Sequence, residues 1–335
     1  MLQSTDFMRA TRRRARPLVC VATLCAALIC AAGAHAQGYP TRPIRVIVTF
    51  PPGGGTDIVA RMIAQKLSDT LGVQLVVDNR GGAGGTIGTD LIAKAPADGY
   101  TIGVVSGSHA INPSLYRNLP YDTLRDFTPV TMLVAGPGLL VVHPSVQAKS
   151  VRELIALAKA KRGQLNYASP GSGTPPHLAA ELFKLLAGVD FVHVPYKGNA
   201  QALTDLIAGQ VSLSFPVIPA VLQHVSGGRL RALAVTSAQR TGIMPELPTI
   251  SESGLPGYES ISWYALVLPA GAPSDIVTRL YQDTAKALQM PDVREKLAAQ
   301  GLDAVGSRPE QLAAALRTEI AKWAKVVKAS GARVD

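Results

Sequence analysis

The sequence predicts an α/β protein of two domains, each a mostly parallel sheet flanked by helices. Three observations predict it. Short apolar runs rich in Val, Ile and Leu alternate with stretches whose apolar residues recur at helical spacing, the pattern of buried strands joined by crossover helices. The chain has 335 residues, 47% of them hydrophobic, which is too long for one small core and apolar enough to bury two. One motif, Pro-Gly-x-Gly-Thr, occurs at both Pro52–Thr56 and Pro170–Thr174, each time between a strand and a helix.

Ile44 to Phe50 is the first strand. Asp57 to Leu71 follows as a helix, with Ile58, Met62, Ile63 and Leu67 on one face. Strands are expected at Gln74 to Val77, Ile102 to Val105 and Leu139 to Val142, with a helix from Thr86 to Lys94 between the first two. Ser150 and Glu153 have capping-box spacing and open a helix that runs to about Lys161, with Gly163 just beyond it. Then come a strand at Leu165 to Ala168, a helix at about Pro175 to Ala187, a strand at Phe191 to Val194 and a helix at Ala200 to Ala208. Further strands fall at Val211 to Phe215, Leu230 to Val235 and Tyr264 to Leu268. Three helices end the chain, at Ser274 to Leu288, Asp292 to Gln300 and Pro309 to about Lys328.

The first 36 residues distort the composition. Arg9, Arg12, Arg13, Arg14 and Arg16 precede an uncharged run from Leu18 to Ala32, and Ala34-His35-Ala36 supplies the small-x-small pattern of a signal-peptidase site. Cleavage is expected after Ala36. A membrane anchor competes, because Pro17 to Ala34 reaches the lower limit of a span, but that run is Ala-rich and ends in a cleavage pattern. Cys30 lacks the small residue expected before a lipidated Cys, and the triple Arg lacks a twin-arginine context. Removing the segment lowers the formal charge from +10 to +6 and takes away all three cysteines, Cys20, Cys25 and Cys30. A mature chain without cysteine can have no disulfide, thiol nucleophile or zinc-thiolate site.

The repeated motif is the strongest functional signal. Such junctions lie outside the carboxyl ends of strands, where open α/β sheets bind ligands. Glycines let backbone N–H groups approach a ligand, the Thr can cap the helix or offer its hydroxyl, and the helix N-terminus favours an anion. A third run, Asn79 to Gly88, again joins a strand to a helix. Ile87 stands where a dinucleotide fingerprint needs its third glycine, so the run reads as a further wall of N–H donors, not a cofactor site. No cofactor is expected.

Catalytic and metal chemistry find little support. His109, His143, His177, His193 and His224 have no metal-site spacing, and Ser106 lies in no nucleophile elbow. Asp57 reads as a first-turn residue favoured by the helix dipole, or as one that contacts the ligand or orders its loop. His177 reads as part of a capped helix start, or as a ligand contact. Only 5% of residues are aromatic, and the basic residues are scattered among acidic ones, which excludes a nucleic-acid surface.

From Tyr39-Pro40 onward the chain resembles the Bug-type extracytoplasmic solute receptors, the substrate-binding components of tripartite tricarboxylate transporters. The stretches that carry the resemblance are Tyr39 to Ile44, Phe50 to Asp57 with Ala60-Arg61, Asn79 to Gly88 and Ala97 to Tyr100. His109 to Pro113, Ser169 to Thr174 and Val194 to Gly198 continue it. Gly81 departs from the Pro that many members carry, which could loosen its loop. The resemblance implies a two-domain periplasmic binding protein of type II-like fold, a monomer that closes an interdomain cleft over a small carboxylate solute and delivers it to membrane permease subunits. It places the carboxylate on Gly53, Gly54, Gly55, Thr56 and Asp57 and on the loop Gly81 to Thr86, through Gly82, Ala83, Gly84, Gly85 and Thr86. Ser106, Ser108, Ser169, Gly171, Ser172, Gly173 and Thr174 would line the rest. No catalytic or metal residue is implied. The expected division is 37–138 plus about 262–335 for domain 1 and 139–261 for domain 2. Two alternatives stay open: the same fold serving a periplasmic sensor of carboxylates, or an enzyme acting on a small carboxylic acid.

Overall fold

A computed structural model describes residues 38–334, so the export segment lies outside the described residues. The account below concerns the body that begins at Arg42.

Its first sheet has six strands in the order β2-β1-β3-β10-β4-β11, and its second has five in the order β7-β6-β8-β5-β9. The strands are β1 (Ile44–Val48), β2 (Leu75–Asn79), β3 (Thr101–Ser106), β4 (Phe127–Pro137), β5 (Leu139–Val142), β6 (Asn166–Ser169), β7 (Val192–Pro195), β8 (Leu213–Ser214), β9 (Arg231–Val235), β10 (Ile261–Pro269) and β11 (Asp303–Ala304). The helices are α1 (Gly55–Leu71), α2 (Thr86–Ala93), α3 (Ser108–Leu115), α4 (Val151–Ala160), α5 (Pro175–Ala187), α6 (Asn199–Ile207), α7 (Ile218–Ser226), α8 (Ser274–Gln289), α9 (Pro291–Ala298) and α10 (Pro309–Ser330).

The two sheets repeat one plan. In each, a central strand is flanked in parallel by the next two strands of the chain, β1 by β2 and β3, β6 by β7 and β8. An antiparallel strand then lies beside the third, β10 beside β3 and β5 beside β8, and a further antiparallel strand beyond it, β4 and β9. The expectation of mostly parallel sheets therefore describes only the β-α-β-α-β portion of each. The antiparallel strands include those that flank the sheet changes: Gly138 alone joins β4 of the first sheet to β5 of the second. The return runs from β9 to β10.

Strand alternation builds the cores. In β5, Leu140 and Val142 face Tyr167, Phe183, Phe191 and Tyr258, while Leu139 and Val141 face Leu206, Val221 and Ile218. Such two-sided burial explains why β5 reads as an unbroken apolar run. The first sheet packs Ile47, Val105, Trp263, Ala265 and Val267 with Ile92, Leu312 and Leu316 from its helices. A separate cluster joins Ile111 and Leu115 of α3, Leu178 of α5 and Trp323, Val326 and Val327 of α10, so the C-terminal helix packs on helices belonging to both sheets.

Two elements outside the expected strands and helices contain prolines in their interiors. Helix α3 contains Pro113, which removes the hydrogen bond to the His109 carbonyl; the Thr123 hydroxyl donates to that carbonyl at 3.2 Å instead. Strand β4 contains Pro129 and ends in Gly136-Pro137, and β10 pairs with it along its length.

Candidate functional site

The first motif loop leads from β1 into α1. Gly54 is the N-cap, and the first helical hydrogen bond is donated by Ile58 to the Gly54 carbonyl at 3.0 Å. The N–H groups of Gly55, Thr56 and Asp57 come before that bond and face the space beyond the strand. Asp57 turns inward: its carboxylate accepts from Gly53 N–H at 3.0 Å, Arg61 Nε at 3.0 Å and Asn79 Nδ2 at 2.9 Å. Burial acts to raise its pKa, but the Arg61, Gly53 and Asn79 hydrogen bonds outweigh burial and hold the carboxyl below its ordinary value. Asn79 also donates to the Phe50 carbonyl at 3.0 Å, so the end of β2 and the first loop form one hydrogen-bonded unit.

The second glycine loop follows Asn79 directly. Tyr116 OH donates to the Ala83 carbonyl at 2.7 Å, and Asn112 Nδ2 donates to the Gly84 carbonyl at 3.2 Å. These bonds, with Thr86 Oγ1 on Ala83 at 3.0 Å, fix the loop in spite of Gly81. Gly81 itself abuts Pro51, where an added Cβ would lie 2.5 Å from the ring Cδ.

The second motif loop opens α5 differently. Thr174 is the N-cap in extended conformation, as a residue before proline must be, and Pro175 and Pro176 occupy the first two helical positions. Its hydroxyl does not cap the helix but donates to the Gly171 carbonyl at 2.6 Å. Behind the loop, His177 Nδ1 accepts from Gly173 N–H at 3.2 Å, and Ser169 Oγ lies 2.7 Å from His193 Nε2. The two imidazoles stack at 4.2 Å. Burial, aided by Lys184, pushes His177 down to about 4, and burial pushes His193 down to about 3.

These loops converge. A Cβ on Gly84 would lie 2.5 Å from the Ser172 carbonyl oxygen, so the backbones of the two sheets' loops meet where no side chain fits. Between them lies a cavity of about 180 Å³ lined by Phe50, Pro51 and Pro52, by Gly54, Gly55, Thr56 and Ser106, and by Ser262 and Tyr264 of β10. The second sheet contributes Pro170, Thr174, Pro175, Pro176, Val217 and the start of α6 from Lys197 to Gln201. An adjoining cavity of about 710 Å³ shares Phe50 to Pro52, Pro170, Lys197 and Gly198, and adds Gly81 to Gly85, Gly171, Ser172 and Tyr116.

Of the expected site residues, Gly54, Gly55, Thr56, Ser106 and Thr174 line the smaller cavity; Gly82, Ala83, Gly84, Gly85, Gly171 and Ser172 line the larger. Gly53, Asp57, Thr86, Ser108, Ser169 and Gly173 line neither. Asp57, Thr86 and Ser169 spend their side chains on loop hydrogen bonds, and the Ser108 hydroxyl is buried without a partner. Tyr264, Ser262 and Val217 escaped sequence reasoning because they reach the cavity only through the return of the chain and the second sheet. Lys197 and Gly198 carried a signal in the Val194 to Gly198 stretch.

Electrostatically the site suits an anion. The N-termini of α1, α5 and α6 all border the smaller cavity, and neither cavity is lined by Asp or Glu. Lys197 is the one Lys or Arg lining either. Among the described residues, no group of three or more His, Cys, Asp or Glu is placed to hold a metal, and no helix is long and apolar enough to cross a membrane.

Known proteins match this architecture. Residues 59–332 match the family described as the tripartite tricarboxylate transporter family receptor. BugT of Bordetella pertussis is 42% identical over 306 residues, covering 91% of this chain and 94% of its own. The solved structure of R. palustris Rpa4515 with adipate is 41% identical with a TM-score of 0.85, over 88% of this chain and 100% of that one. The periplasmic binding protein BugD is 34% identical with a TM-score of 0.83, over 88% and 99%. The chain belongs to the receptor family of the tripartite tricarboxylate transporters.

Proposed function

We propose that the protein is a periplasmic receptor that captures a small carboxylate solute between its two sheets and hands it to the membrane subunits of a tripartite transporter. The observation that carries this reading is the acid-free cavity bordered by three helix N-termini. At α1 the free N–H groups of Gly55 and Thr56, with the Thr56, Ser106 and Tyr264 hydroxyls, form the donor set for one carboxylate. Pro170, Pro175, Pro176 and Val217 face it with apolar surface. Rpa4515, solved with adipate, supports the solute class.

The Gly138 crossing and the return before Ile261 serve as hinges between bodies made of 37–138 plus about 262–335 and of 139–261. A solute touching both stabilises the closed form by its differential affinity, and the permease reads closure. No turnover is needed: the lining of the smaller cavity includes no histidine or carboxylate to act as a base. The export segment is removed after Ala36, so the mature chain begins at Gln37.

Calorimetry and thermal shift with a carboxylate panel that includes adipate test the reading. Saturable binding without consumption of the ligand is expected, together with loss of uptake when the gene is deleted. Turnover, or no stabilisation by any carboxylate, overturns it. N-terminal sequencing of the exported protein checks the cleavage site.

A further inference from the structure

The start of α6 is anchored by its backbone and leaves one charge unspent. Tyr196 N–H donates to the Ser169 carbonyl at 2.9 Å, and Gly198 N–H donates to the Pro170 carbonyl at 3.1 Å, so the residue between them is tied at both ends to the second motif loop. The Tyr196 hydroxyl, which could have turned toward the cleft, donates to Asp205 at 2.7 Å. Lys197 is exposed and, among the described residues, has neither an ion-pair nor a hydrogen-bond partner. Gly54, Gly55 and Thr56 line only the smaller cavity, whereas Lys197 lines both, which places it where the two cavities meet. A solute whose carboxylate occupies the α1 end therefore directs its other end along apolar walls toward a cation without an acidic partner.

We infer that Lys197 is a specificity-determining residue. Its ammonium receives a second anionic group, and the protein prefers dicarboxylates to monocarboxylates of equal length. The inference rests on the reading of the α1 end as the first carboxylate site. A second carboxylate otherwise loses hydration on entering the cleft with nothing to replace it; at Lys197 it gains a charge-assisted hydrogen bond.

The test uses the mature chain and matched pairs that differ only in the terminal group: succinate with butyrate, adipate with hexanoate, suberate with octanoate. Calorimetry of the unmodified protein should show the best dicarboxylate binding roughly tenfold more tightly than its partner, the scale of one hydrogen bond to a charged group. Lys197→Gln should erase that gap by weakening the dicarboxylate alone, Lys197→Arg should retain it, and the melting temperature of the ligand-free protein should not move. A gap that survives in Lys197→Gln, or a variant that weakens both members equally, overturns the role of Lys197. Equal binding of both members by the unmodified protein does so as well while leaving the receptor reading intact. No binding by any of the six acids overturns the role of Lys197 in choosing dicarboxylates, while the receptor reading falls only if the wider carboxylate panel fails too.

Discussion

Pro52–Thr56 and Pro170–Thr174 are twins in sequence and occupy equivalent places in the two sheets, yet their helices begin two residues apart within the motif. In the first, the middle glycine Gly54 is the N-cap, so Thr56 already sits inside the helix with free N–H groups around it. In the second, Thr174 is the N-cap and two prolines follow, so the first turn presents rings where its twin presents donors. What differs is the residue after the Thr: Asp57 continues a helix, while Pro175 forces Thr174 out of helical conformation. One copy thus presents backbone donors and the other an apolar wall braced from behind by His177 and His193. Motif identity marks where a site is and not what each half of it does.

The sharpest way to break this contrast is to crowd the donors. A Cβ at Gly55 would collide with the Tyr264 hydroxyl, so Gly55→Ala is expected to lower affinity for the panel's best-bound carboxylate about 100-fold by calorimetry, the upper range of an overpacking cost.

Acid should act on the buried imidazoles: His177 and His193 behind the wall, and His109, which packs beside Tyr121 and Phe127 and which burial pushes down to about 3. His177 and His193 titrate in the folded protein below the ordinary value of 6.5, at about 4 and about 3, so folding favours their neutral forms. Their contribution is complete above pH 6.5 and is lost as pH falls toward 4, because the unfolded chain takes up protons that the folded one refuses. Differential scanning calorimetry should show a fall of about 5 °C in melting temperature across that window, and a shallower slope in His177→Gln.

The two threonines should then separate affinity from stability. Thr56→Val removes a hydroxyl that lines the cavity and should weaken binding of the same best-bound carboxylate by about 1–2 kcal/mol with little change in melting temperature. Thr174→Val removes the hydrogen bond to the Gly171 carbonyl and should cost about 1 kcal/mol of stability in denaturant titrations, with affinity within about threefold. Equal behaviour of the two variants would dissolve the contrast. The smallest effect belongs to Pro176→Ala, which leaves shape and apolarity nearly intact and should change affinity less than about threefold.

Periodicity made most of the fold legible. β1, α1, β6 and α5 follow directly from strand runs and helical spacing, and the Ser150 cap is seen in the bond from Glu153 N–H at 3.2 Å. What stayed hidden depended on partners distant in sequence. Thr123 rescues the proline in α3, and β10 recruits the proline-containing β4. The same reason hid half of the cavity. Glycine loops announce themselves, whereas Tyr264 and Val217 are ordinary core-type residues until topology brings them to the loops.

The meeting of Gly84 with the Ser172 carbonyl has a consequence for how such a receptor changes its diet. Loops that close backbone to backbone admit no new side chains, so drift toward another solute cannot be written there without jamming the cleft. Variation is channelled to positions that already carry side chains, above all Lys197, Asn199, Ala200, Gln201, Val217 and Ser262. An engineer who wishes to retarget the protein would leave the glycines alone and randomise that short set.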